Sequence, residues 1–204
     1  MLDRELIDEF AYEAGQGQLL EVEKLPFDFQ KVLRVANGFY TKDRLFRLFG
    51  IQPIGRLPSV YEWNQSSWKE NYRHLLEDVF IVAEDVFGDQ YGYDLAGSLV
   101  KVFCEGGERI RLEPNSLEEF LLQRVFVETP NAFDYGLVLE AVKSGLRPSE
   151  IEHLAFELPL VTNGEYSVAN LQIESPALHL SVLGQISIQV DDMEAGTQIG
   201  RFGA

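Results

Sequence analysis

The chain has 204 residues, 46% hydrophobic and 25% charged; these are ordinary globular proportions that exclude wholesale disorder and fit one large domain or a domain with an appendage. Seventeen bases face 33 acids, a net charge of −16 with a pI near 4.5, which argues against nucleic acid and anionic membranes as partners because both select basic patches. No stretch approaches the about 20 apolar residues of a membrane span, residues 1–5 are acidic and unlike a signal peptide, and Cys104 is alone, so a reducing, cytoplasmic setting is expected.

Residues 3–14 set Leu6, Ile7, Phe10 and Ala14 on one helical stripe, and Gly15-Gln16-Gly17-Gln18 is expected to break it. After Leu25-Pro26, residues 27–36 carry apolar side chains at helical spacing, closed by Asn37-Gly38, two residues that tolerate the left-handed conformation. Residues 44–50 alternate basic and apolar side chains, as a half-buried strand would. Ser67 and Glu70 match a capping box, which predicts a helix running to about Leu76. Residues 79–83 read as a buried strand and 87–95 as a glycine-punctuated turn and strand. A hairpin is expected from residues 99–104 and 109–112 across Glu105-Gly106-Gly107-Glu108. Asn115 and Ser116 offer caps to a helix reaching about Val125.

The remainder predicts a helix over 131–144 stopped by Gly145, a short helix marked by Ser149 and Glu152, and a strand over 166–173. Ser175-Pro176 then opens a helix through Val190, with Pro where its missing N–H costs nothing, and the end from Ala195 reads as loose. From Phe126 onward there are 11 acids and 3 bases, a net of −8. The whole is an antiparallel-leaning α+β pattern over residues 1–125, with a smaller α/β C-terminal appendage over 126–204 packed against it.

Few patterns carry chemistry. His74, His153 and His179 lack metal-ligand spacing with each other or with Cys104. The chain has no Gly-x-Ser-x-Gly elbow, no dinucleotide glycine fingerprint and no Walker lysine loop. A Ser–His–Asp triad has no fixed chain order, so sequence leaves it open. Cys104, with no His or cation cluster nearby in sequence, reads as a structural residue and not a reactive thiol. The acids Glu84, Asp85, Asp89 and Asp94 admit three readings: a solvated strand edge, a partner-docking patch, or a hard-cation or acid–base site. Trp68 fits a helical core position, whereas Trp63 fits either the core or an exposed interface anchor.

Several features in order resemble one family. Leu25-Pro26 followed by Asn37-Gly38, Leu48-Phe49-Gly50, Trp63-Asn64, Trp68 and Val86-Phe87-Gly88-Asp89 lead to the 100–104 and 109–112 hairpin. Ser116-Leu117-Glu118-Glu119-Phe120-Leu121 then completes a pattern that resembles the SUKH superfamily of bacterial toxin-immunity and fungal cell-wall regulator domains, over about residues 20–125. The resemblance implies an α+β fold with a mixed, largely antiparallel sheet flanked by helices, and intracellular, non-catalytic protein binding. Residues 126–204 lie outside it.

Together these readings assign no catalytic, cofactor-binding or metal-binding residue. They predict an immunity-type protein that binds a basic toxin, a nuclease among the candidates, through a face containing Trp63, Glu84, Asp85, Asp89 and Asp94. The alternative is a regulatory or scaffold module for an endogenous protein, and an enzyme using the carboxylates around Asp89 ranks third. A monomer or weak dimer is expected, with no nucleic acid or membrane partner and no cofactor.

Overall fold

Local cues set where each element starts in the computed structural model, which describes residues 1–12, 14–15, 25–126 and 133–193. Helix α1 (Arg4–Phe10) is capped by Asp3, whose carboxylate accepts the Leu6 N–H at 2.9 Å. It stops four residues short of the predicted stripe because Ala11 turns extended and opens strand β1 (Ala11–Tyr12), which pairs with β2 (Phe39–Thr41). Residues 16–18, expected as a helix breaker, and the tail from Ala195 lie outside the described residues.

Helix α2 (Phe27–Val35) buries Phe29, Val32 and Leu33, as its spacing predicts. Gly38 follows with φ of +78°, and a Cβ there would meet backbone atoms of Leu48 and Gly50 at 2.6 and 2.5 Å. Only glycine fits so close a crossing. Strand β3 (Phe46–Leu48) comes next, but it is buried throughout, including Arg47, and is not half-exposed as its alternation predicts. The capping box forms at Ser59 and Glu62, heading α3 (Val60–Asn64), and not at Ser67 and Glu70. Helix α4 (Ser67–Glu70) is a single turn, continued by a 3₁₀ turn at Arg73–Leu75 where Arg73 takes a positive φ of 48°.

Strands β4 (Phe80–Asp85), β5 (Gln90–Tyr93), β6 (Leu99–Val102) and β7 (Arg109–Arg111) complete a sheet whose spatial order is the chain order, β1 to β7. Every neighbouring pair is antiparallel, so the parallel pairing of a mixed sheet does not occur among the described residues. Four of these pairs are joined by short turns, whereas α2 intervenes between β1 and β2, and α3 and α4 between β3 and β4. Helix α5 (Leu117–Phe120) is capped by Ser116 and runs into a π-helical turn at Leu121–Val125. Asp28 of α2 accepts the Leu117 N–H and, at 3.3 Å, the Tyr93 hydroxyl, tying both helices to β5.

Helix α6 (Tyr135–Lys143) ends before Gly145, as predicted; the expected start at residues 131–132 lies outside the described residues. No helix forms around Ser149 and Glu152. The Glu152 carboxylate accepts the Ser149 N–H at 2.8 Å in a turn, and the chain then enters β8 (His153–Phe156). Its partner β9 (Leu171–Glu174) is shorter than the predicted strand, because residues Val168–Asn170 turn as a 3₁₀ helix. The last helix, α7 (Pro176–Asp191), packs on α4, and Gly184 lets it approach: a Cβ there would lie 2.8 Å from the buried Tyr72 ring. Leu154, Leu171, Leu180 and Leu183 join the same apolar core as the sheet. The result is an α+β fold, and no described helix is long and apolar enough to cross a membrane.

Candidate functional site

Successive side chains of a strand point to opposite faces, so the adjacent acids Glu84 and Asp85 enter two different polar clusters. On one face, register places Arg47 of β3 opposite Glu84 of β4, and their side chains pair at 3.2 Å. Both are buried, at 4% and 1% exposure. Arg47 also donates to the Glu150 and Glu152 carbonyls at 2.7 and 3.1 Å, fastening β3 to the turn before β8. Gln90 donates to Glu84 at 3.0 Å and accepts the Trp63 indole N–H at 2.8 Å. Burial pushes the Glu84 carboxyl up, but Arg47 and then His153 outweigh it and hold it below the usual carboxylate range.

His153 of β8 lies over this pair with Nε2 at 3.2 Å from Glu84, a close approach that is off the line of a hydrogen bond. Its Nδ1 lies 3.0 Å from Nδ1 of His179 on α7, so one ring donates and the other accepts. Burial pushes both imidazoles down; Glu84 partly counters this at His153, whereas the neighbouring His153 deepens it at His179, which falls to about 3. Gly88, at φ of +91°, makes room for the two rings: a Cβ there would meet His153 at 3.0 Å.

On the other face Asp85 is equally buried and accepts the N–H groups of Phe87 and Asp89, both at 3.1 Å, and the Tyr91 hydroxyl at 3.0 Å. Lys101 bridges Asp85 at 3.5 Å and Asp89 at 2.8 Å, with its ammonium 4.8 Å from the Phe103 ring. Burial and then the Asp89 charge raise the Asp85 carboxyl above its usual range. Burial works against the Lys101 charge, yet the two aspartates hold this ammonium above its usual value. Cys104 is buried beside them, and burial pushes its thiol up, as befits a structural cysteine.

A cavity of about 200 Å³ opens from this second cluster to the surface, at the seam between the sheet and the C-terminal segment. Asp85, Cys104, Phe133 and His179 form its buried floor. Its walls are aromatic: Phe87 and Phe156 stack at 6.0 Å and 11°, and Tyr166 lies 5.9 Å from Phe156. Glu105 and Asp134 stand higher on the walls. Glu105 accepts the Val161 N–H at 3.2 Å, and burial pushes its carboxyl up to about 7. Asp134 faces the Tyr166 hydroxyl.

The five residues expected on one partner-binding face are therefore not together. Trp63 is 6% exposed and stacks on Phe49 at 4.9 Å, so it is a core residue. Glu84 and Asp85 are neutralised inside the protein and offer a partner no surface. Asp89 is half-buried and committed to Lys101 and to the Cys104 N–H at 2.9 Å. Asp94 sits at the other end of the β5–β6 hairpin, where it accepts the Ser98 N–H at 2.8 Å. The acids lie where they do because β4 buries both its faces, a consequence of helices and the C-terminal segment covering the sheet on two sides. His153, His179, Lys101, Glu105, Asp134 and Tyr166 went unassigned in sequence, because long chain separations hide their proximity. Among the described residues no three His, Cys, Asp or Glu side chains gather as a metal-ligand set.

No family model matches the chain, and no curated protein matches it. Among solved structures, the crystal structure of Atu4351 from Agrobacterium tumefaciens is similar over 88% of this chain and 86% of its own, with a TM-score of 0.56 and 9% sequence identity. At that identity the likeness shows a shared α+β fold.

Proposed function

We propose that this chain is a non-catalytic, cytoplasmic protein-binding domain of the immunity type, which binds a cationic toxin and neutralises it. One observation carries the reading. Glu84 and Asp85 are the two fully buried acids among the described residues, and Arg47 and Lys101 answer them internally. The net charge of −16 is thus expressed on the surface, where it steers a basic partner and accelerates encounter. A nuclease is the fitting class, since a site that grips phosphate is itself basic. The α+β fold with an antiparallel sheet is in keeping with the SUKH resemblance.

The test is capture from the native organism with the full chain as bait, at low and high salt, followed by co-expression with the captured protein. A basic protein lost at high salt, whose toxicity the chain suppresses, is the expected result. Capture of a housekeeping protein indifferent to salt, or unrelieved toxicity, overturns the reading in favour of a regulatory module.

A further inference from the structure

Among the described residues the charges that line the cavity do not balance. Lys101 is already engaged by Asp85 and Asp89, at 3.5 and 2.8 Å, so these three groups satisfy one another. Glu105 and Asp134 remain on the walls above them, answered only by uncharged donors: the Val161 and Leu160 N–H groups for Glu105 and the Tyr166 hydroxyl for Asp134. Phe87, Phe156 and Tyr166, a contiguous run of contacting rings, line the same cavity as the two acids. Aromatic faces attract a cation and shed water from its hydrocarbon stem. The protein already shows the mode on itself: the Lys101 ammonium rests 4.8 Å from Phe103 and 5.5 Å from Tyr91 while paired to carboxylates.

Size narrows the occupant further. A cavity of about 200 Å³ falls below the roughly 300–1,000 Å³ that hold drug-sized ligands or cofactors. It suits a single side chain. A nucleotide or other anion is disfavoured by the four carboxylates in the lining.

We propose that this cavity is a receptor for one alkyl cation, the arginine or lysine side chain that a protein partner lays against the contacting rings of Phe156 and Tyr166 to meet Glu105 and Asp134. The assignment of a protein as the source rests on the binding function proposed above; the cavity's chemistry stands apart from it. Burial pushes the Glu105 carboxyl toward neutral pH, and a carboxyl so placed gains from a cation brought beside it. The C-terminal segment acquires a role here, because Phe156, Tyr166 and His179 all come from it.

The experiment titrates the full chain with arginine capped at both ends by amides, and in parallel with capped citrulline, its neutral isostere, and with agmatine. Binding is read by calorimetry and by amide shifts around Glu105 and Phe156. Capped arginine should saturate the site in the millimolar range, with citrulline at least about tenfold weaker for want of charge. Glu105→Gln and Asp134→Asn should each weaken arginine by about tenfold with the melting temperature unchanged. The amide oxygen that the first substitution introduces can still accept the Val161 N–H, and asparagine suits the left-handed backbone of position 134. Equal binding of citrulline and arginine, or no saturation by either, overturns the receptor even if the substituted proteins misfold. Agmatine bound more than about tenfold tighter than capped arginine overturns the side-chain source in favour of a free small cation. A toxin neutralised by a chain that ignores capped arginine overturns the cavity assignment and leaves the binding function intact. Arginine binding without any protein partner does the reverse.

Discussion

Arg47→Met removes the cation from the buried pair on β3 and β4. Methionine keeps the stem and the packing but deletes the 3.2 Å contact to Glu84 and the bonds to the Glu150 and Glu152 carbonyls at 2.7 and 3.1 Å. Breaking one partner of a buried pair costs about 3–5 kcal/mol, because the other charge is stranded without water. The sign with pH follows from Glu84. In the native protein its carboxyl is held below the ordinary 4.5, so its contribution is full above that value and is lost as pH falls through the depressed one. Without Arg47 burial prevails and the folded-state value rises above 4.5. The folded variant then takes up a proton that the unfolded chain does not, and its deficit shrinks as pH falls from 8 toward 4.5. Urea unfolding followed by the fluorescence of Trp63 and Trp68 measures both quantities. A loss below about 1 kcal/mol at pH 8, or one that stays constant with pH, refutes the argument. Adding Glu84→Leu should recover most of the loss, since an apolar pair of similar volume leaves no stranded charge.

His179→Gln tests the imidazole pair. Burial holds His179 down near 3 against an ordinary 6.5, so native stability should fall as pH drops below 6.5, by up to about 1.4 kcal/mol per unit for this group; the variant should show a shallower acid limb, and an unchanged limb sinks the idea. Gly88→Ala places a Cβ at positive φ and 3.0 Å from His153, and should cost about 1–3 kcal/mol. A 2 kcal/mol loss corresponds to a melting temperature about 4–8 °C lower for a chain of this size, readable by calorimetry. Trp63→Phe strands the Gln90 carbonyl oxygen and should cost about 1–3 kcal/mol in urea unfolding. A near-neutral result there would mean that water replaces the indole donor.

Strands β3 to β7 and most helices are legible because they follow local rules: spacing in α2, the Ser116 cap, the hairpin turn between β6 and β7; β1, β2 and β8 are not among the predicted strands. Failures came where tertiary context took over. The alternation of residues 44–50 predicts a solvated Arg47, yet the second layer over β3 turns that position inward and demands Glu84 as its counter-charge. Ser149 and Glu152 do bond as a cap would, but the next residues pair with β9 and dock on Val86 through the Leu154 N–H at 2.9 Å. Each of the three readings of Glu84 and Asp85 takes them as one acidic group from their adjacency in sequence, whereas a strand separates neighbours onto opposite faces. Nothing in the spacing of His153 and His179, 26 positions apart, announces their contact.

The strict chain order of the seven-stranded sheet also fixes a sequence of events at the ribosome. The β2–β3, β4–β5, β5–β6 and β6–β7 pairings close over short turns, so their closure entropy is small, whereas β1–β2 and β3–β4 close over intervening helices. β8, β9 and α7 follow the sheet in the chain and dock across long separations. Until they do, the Arg47–Glu84 pair lies uncovered by His153, and the aromatic wall of Phe156 and Tyr166 does not exist. A nascent chain therefore carries half of its net charge before it carries the cavity, whose lining is complete once His179 in the first turn of α7 is in place.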